Sequence, residues 1–237
     1  TINTLQTTDL SLELRYAPHE KFYQGKLYRT PIPDKYPIIT LRFNQGFKGL
    51  LKGQYNYQSL TANINKRFYL SQLGFTDVEA EGGYIFNKLP FPLLDIHHAN
   101  QSYALQLESY NLMNYLEFVS DHYASINIDH HFNGLFFNRL PLINNLKLRE
   151  VVSFKSLWGG LRSENNPAND PALFQFPTRE GGQTITHSLN NGPYMEASAG
   201  IENIFKLVRL DVVRRLSYLD NPDAPKWGVR ARVKFQF

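Results

Sequence analysis

The chain has 237 residues, 42% of them hydrophobic and 14% aromatic, with a net charge of +4 and no cysteine. No apolar run approaches the roughly eighteen residues of a membrane helix, and without cysteine there is neither a disulfide nor a thiolate metal site. Lys and Arg are scattered rather than gathered into one patch, which argues against a nucleic-acid partner.

Strand-like alternation begins at once. Leu10, Leu12, Leu14 and Tyr16 alternate with Asp9, Ser11, Glu13 and Arg15; Ile39, Leu41 and Phe43 alternate with Thr40, Arg42 and Asn44. The pattern returns at Val78–Phe86, at Ala124–Phe132, at Met195–Ile201 and at Val208–Tyr218. It ends in GVRARVKFQF, with Val229, Ala231, Val233, Phe235 and Phe237 on one face and Arg230, Arg232, Lys234 and Gln236 on the other. Successive side chains of a strand point to opposite faces, so repeated period two predicts half-buried strands. No stretch shows a helical stripe. The expected fold is all-β, with about ten strands near 8–17, 37–46, 53–66, 74–87, 101–113, 116–134, 145–161, 192–204, 206–219 and 226–237.

One apolar row and one charged row per strand is the pattern of an antiparallel transmembrane β-barrel, in which only every second residue has to face lipid. We therefore expect 1–237 to be a single outer-membrane barrel domain, or part of a larger barrel. It begins TINTLQ, without an initiator Met, and reads as a mature form or a piece of a longer precursor. With Phe237 on the periplasmic side, 18–36, 162–191 and 219–225 become outer loops, and 46–52, 88–100, 135–144 and 204–206 become periplasmic connections. Trp158, Tyr218, Trp227, Phe235 and Phe237 are the expected interface aromatics. Phe86-Asn87-Lys88-Leu89-Pro90 and Phe137-Asn138-Arg139-Leu140-Pro141 repeat one motif. Both are placed on the periplasmic side, where Lys88 or Arg139 could reach lipid phosphates; a turn merely shared by two hairpins is the alternative.

The other row supplies a candidate lumen lattice: Glu196, Glu202, Arg209, Asp211, Arg215, Arg230, Arg232 and Lys234. A tight turn near 204–206 would set Glu202 opposite Arg209 and Glu196 opposite Arg215, and Asp211 would lie beside Lys234. Such a lattice fills a barrel interior or lines a narrow pore. Arg214 and Glu150 break the apolar row, at a cost of about 2–4 kcal/mol for Arg at the bilayer midplane, falling toward zero at the interface.

Chemistry is weakly signalled. His130 and His131 point to opposite faces and cannot share a metal. Asp129 and His131 share a face with Ser125 and Asn127, the parts of a possible hydrolase, but the spacing is also that of any polar row. There is no Gly-rich phosphate loop, no GxSxG and no HExxH. No cofactor is expected.

At FNGLFFNRLPLINNLKLREVV, GPYMEASAGIENIFKLVRLDVVRRL and the closing GVRARVKFQF, the chain resembles a Bacteroidota family of large outer-membrane proteins. These usually carry a carboxypeptidase-regulatory-like domain ahead of a domain of unknown function, and the resemblance runs from about residue 75 to the C-terminus. A looser similarity links them to the Omp85 surface-antigen superfamily. The resemblance implies an outer-membrane location and a structural or transport- and assembly-associated role inside a larger complex. Implied partners are outer-membrane lipid and lipopolysaccharide, the barrel-assembly machinery through the C-terminal strand, and other outer-membrane proteins. The alternatives are a barrel hydrolase using Asp129 and His131, a soluble β-protein, or the C-terminal part of a TonB-dependent transporter.

Overall fold

The structure is a computed structural model that describes residues 4–32, 34–171, 173–179 and 181–233. Lys234, Phe235 and Phe237 lie outside the described residues. Thirteen strands occur in chain order: β1 Asp9–Tyr16, β2 Lys21–Gln24, β3 Arg29–Ile32, β4 Ile38–Gly46, β5 Tyr57–Tyr69, β6 Phe75–Ile85, β7 Asp95–Ile96, β8 Val119–Ser120, β9 His122–His131, β10 Arg149–Gly160, β11 Tyr194–Ile204, β12 Val208–Arg215 and β13 Trp227–Val233. Nine of them form one antiparallel meander in the order β1-β4-β5-β6-β9-β10-β11-β12-β13. The remaining four make two small ribbons, β2-β3 and β7-β8. Among the described residues there is no α-helix, and no helix long and apolar enough to cross a membrane. The fold is all-β, and the sheet does not close into a barrel: β1 and β13 are its two edges.

Alternation determined the registers. Leu14 sits opposite Leu41, Leu41 opposite Ala62, Ala80 opposite Ile126 and Val212 opposite Val229, so the apolar rows of all nine strands share one face. That face is open. Leu10, Leu12, Leu14 and Tyr16 are each about three-fifths exposed, and Leu41, Ile64, Val152, Trp158, Val212 and Trp227 also stand in the open. The opposite face carries Glu13, Arg42, Asn63, Glu79, Asp129, Lys155, Glu196 and Asp211.

The polar face is concave. Arg209 on β12 bonds Asp129 on β9 at 2.7 and 2.9 Å, although β10 and β11 lie between them. On a flat sheet three strand steps span ~14 Å, beyond the reach of one guanidinium. The sheet must curl toward its charged side.

One expected strand is missing. Residues 101–113 form no ladder; they belong to a long excursion, 86–121, that folds back over the concave face. Among the described residues only Tyr103–Leu105 touches a sheet edge, through Ala231 N–H to Tyr103 O and Leu105 N–H to Ala231 O. Losing a strand changes every later parity. The connections 70–74, 132–148 and 205–207 lie at one end of the sheet together with 17–37, while 47–56, 86–121, 161–193 and 216–226 lie at the other. The segment 18–36, expected beside 162–191, is therefore at the opposite end, and 46–52 and 88–100 join the long loops. The two FNxLP motifs also separate to opposite ends. Leu89 is buried, its N–H donates to Asn165, and Lys88 pairs with Asp170 at 2.6 Å.

The core lies between the concave face and its covering segments. One cluster joins Tyr110, Met113 and Phe118 of the excursion to Leu157, Leu189 and Tyr194; a second joins Leu89, Leu94 and Val119 to Ile85 and Leu161. Tyr218 packs its ring edge-on against Phe118 at 4.8 Å and donates its hydroxyl to Gly192 O. At the short-turn end, Gly74 (φ 92°) lets β5 turn into β6; a Cβ there would lie 1.9 Å from His131 O.

Candidate functional site

The concave face carries the chemistry, and it has two halves. Toward the long-loop end, the excursion 86–121 is irregular chain that buries backbone amides and carbonyls. Such groups must find partners. Charged strand residues supply them. The Glu196 carboxylate accepts from Asn111 N–H at 2.9 Å and Leu112 N–H at 3.1 Å. Lys155 donates to Gln106 O and Ser109 O, and Arg230 donates to Asn111 O at 2.6 Å.

The strongest anchor is Arg215, fully buried on β12. It forms a forked pair with Glu117 at 2.9 and 2.5 Å, and it donates to Leu112 O, Ser217 O and Tyr218 O. Glu196 does stand directly opposite Arg215, as the sequence suggests, but Arg215 bonds Glu117 instead. Asp211 lies opposite Arg230 and is claimed by Arg209 at 2.7 Å.

Asp121 ties the excursion to the 161–193 loop. It accepts from Arg162 N–H, Arg162 Nε, Asn165 and His122. Burial raises this carboxyl, and the bonds from Asn165 and Arg162 outweigh it, holding it below the usual carboxylate value. Nearby, burial together with Glu81 and Asp121 pushes Asp95 up to about 6. Burial, with His98 adding, holds His97 down to about 3, and its Nε2 lies 2.9 Å from Ser120 Oγ.

The half toward the short turns is open. Three adjoining cavities of about 480, 360 and 240 Å³ run inward from it. The first two share Arg67, Asp77, Leu107 and Asp129, and the last two share Glu79, Glu108 and Asn127. The innermost is walled by Asp95, Ile96, His97 and His98 of the excursion. The vestibule is open at one end and blocked at the other.

Asp129 and His131 stand in the vestibule wall. His131 lies with Nε2 3.1 Å from Asp129 and Nδ1 3.0 Å from Glu202, its ring stacked on Phe75 at 4.5 Å. Glu202, expected opposite Arg209, is drawn to His131 because the β11–β12 register slips between Ile201 and Ile204. Ser153 donates to Asp129 at 2.6 Å, not to the histidine. Both ring nitrogens thus face carboxylates and, among the described residues, no hydroxyl lies against His131 as a nucleophile, so the cluster works as a charge clamp across β9, β10, β11 and β12 rather than as a nucleophile–base pair. Among the described residues no group of His, Asp and Glu is placed to hold a metal. Sequence reasoning missed Lys155, although it lies on a strand, and it missed Glu117, Asn165 and Asp121. The last three lie in irregular chain, where period two says nothing about direction.

Of the exceptions on the apolar face, Glu150 accepts from Phe136 N–H at 3.0 Å and from Phe137 N–H, so a connection folds back to satisfy it. Arg214 lies at the long-loop end of β12 and is exposed. Trp158 and Trp227, 46% and 64% exposed, lie on the same face toward that end.

No curated protein matches this chain. A family model described as the C-terminal domain of a family of unknown function (DUF5686) matches residues 1–164. The match takes in FNGLFFNRLPLINNLKLREVV but begins earlier than the resemblance read from sequence and stops before β11. Covering more than half of the sequence, it establishes that the chain belongs to the DUF5686 family through that family's C-terminal domain.

Proposed function

We propose that this chain is a wall segment of an integral outer-membrane β-barrel, plugged from within by residues 86–121, with a structural or transport- and assembly-associated role in a larger complex. The carrying observation is the outward face: nine strands present a predominantly apolar surface while most of their charges converge on the concave side. Soluble monomers rarely expose apolar patches beyond a few hundred Å², and lipid is the solvent that makes such a face stable. The edge at β1, and that of β13 beyond its contact with Tyr103–Leu105, fit a wall completed by further strands. Under this reading, lipid and lipopolysaccharide cover the apolar face, and the C-terminal strand is the element presented to the barrel-assembly machinery.

The excursion favours a plugged wall over an open pore, since its backbone is bonded to four charged strand residues. The test is extraction. Envelopes carrying the protein are washed with alkaline carbonate, then with detergent. Retention through carbonate and release as folded protein by detergent are expected. Folded monomer in the detergent-free wash would sink the reading.

A further inference from the structure

We infer that the mouth of the vestibule is a binding site for a phosphate group. The cavity of about 480 Å³ at the short-turn end is lined by five Arg and Lys residues and three carboxylates, a surplus of two positive charges before His131 is counted. The three acids are already engaged. Asp77 is held by Arg67 at 2.6 Å, Asp129 by Arg209 at 2.7 Å, and Glu202 faces His131 at 3.0 Å. That leaves Arg149, which stands opposite Glu202 on β11 without bonding it, Lys206 and Arg232 with no ion-pair contact among the described residues.

The placement of Arg232 points to a missing anion. It lies directly opposite Arg209 on the same face, an arrangement of like charges that destabilises a strand pair. Asp129 and Asp211 both bond Arg209, and neither makes a direct contact with Arg232. Lys206 comes from the β11–β12 turn, held by its left-handed backbone (φ 65°), and Arg149 from the start of β10. Three elements thus bring three cations around one cavity from different sides. Two planar guanidinium forks and one ammonium suit a dianionic, tetrahedral oxyanion better than a single carboxylate. The rest of the vestibule behind the mouth has room for the body of a phosphorylated small molecule.

This inference does not rest on the membrane reading, because it concerns only the concave face. The experiment is calorimetric titration of the full chain in detergent micelles with inorganic phosphate at low salt. Saturable binding is expected, weakened at least tenfold by Arg232→Gln and by Lys206→Gln, and unchanged by Arg139→Gln, outside the cavity. A second series adds an anionic phospholipid to the micelles. Binding of the phospholipid alone, lost in Arg232→Gln, would identify a lipid headgroup as the source of the phosphate; binding of free phosphate would identify a soluble one. Failure of both overturns the site. Thermal unfolding gives an independent check: without anion, Arg232→Gln should melt higher than the wild type, since the opposition to Arg209 is lifted, and phosphate should raise the midpoint of the wild type only. A lower midpoint in Arg232→Gln without phosphate would make Arg232 a structural residue and end the proposal.

Discussion

Removing Glu117 should release the excursion from the sheet. The Arg215–Glu117 pair is almost wholly buried, with the two side chains 0% and 2% exposed, and it is a hub. Arg215 also holds the carbonyls of Leu112, Ser217 and Tyr218, while Glu117 holds Asn114 N–H at 2.8 Å and the Asn221 amide at 2.7 Å. Breaking a buried pair by deleting one partner costs about 3–5 kcal/mol. For Glu117→Ala, a cost of about 3 kcal/mol corresponds to roughly a hundredfold rise in the population of the open form. Chymotrypsin can read this, because Tyr110 and Phe118 are buried and cleavage follows local opening when reclosing is fast.

The double variant Glu117→Leu with Arg215→Met sharpens the test. Replacing an ordinary buried pair by apolar residues is often neutral. Here it would still strand three carbonyls and one N–H, each worth about 1–3 kcal/mol when left unpaired in the interior. Protection should therefore stay well below that of the wild type. Cleavage of Glu117→Ala within about threefold of the wild type, or full protection in the double variant, would refute the hub.

Three further outcomes follow from the same geometry. Leu41→Arg, mid-strand on the outward face, should destabilise folding into lipid vesicles by about 2–4 kcal/mol; if stability is unchanged and solubility rises, that face is wet. Asp95→Asn should be the more stable protein at neutral pH. A carboxyl raised from 3.8 to about 6 binds more protons folded than unfolded, so the wild type loses stability as pH rises from about 4 to about 6. The advantage of Asn should be absent below pH 4 and reach at most about 3 kcal/mol above pH 7, measured by denaturant unfolding across pH; a flat difference would contradict the burial of Asp95. Gly74→Ala places a Cβ against His131 O in a backbone region that only glycine enters easily, and should lower the thermal midpoint by the equivalent of about 3 kcal/mol; a midpoint equal to wild type would show that the 70–74 turn adjusts freely.

The local pattern of this sequence was enough to define nine strands and both faces of their sheet. Leu10, Leu12 and Leu14 point one way and Ser11 and Glu13 the other in any strand, because side-chain direction depends only on the pleat. The same reasoning recognised Glu150 and Arg214 as exceptions on the apolar face. It went wrong at 101–113, where Tyr103, Leu105 and Leu107 alternate like a strand. Whether an alternating segment becomes a strand depends on a neighbour's free N–H and C=O groups. Here Lys155, Glu196, Arg215 and Arg230 offered partners on the sheet face, and the described edge of β13 offered Ala231. That one substitution of partners reversed the ends assigned to 18–36, 46–52 and 88–100. Charge pairing was decided in the same way. Glu196 is the cross-strand neighbour of Arg215, but Glu117, nearly a hundred residues away in sequence, reaches it from above the sheet. A strand's faces are fixed by its own backbone; its partners are chosen by what folding brings across the concave side, and only the tertiary structure contains that choice.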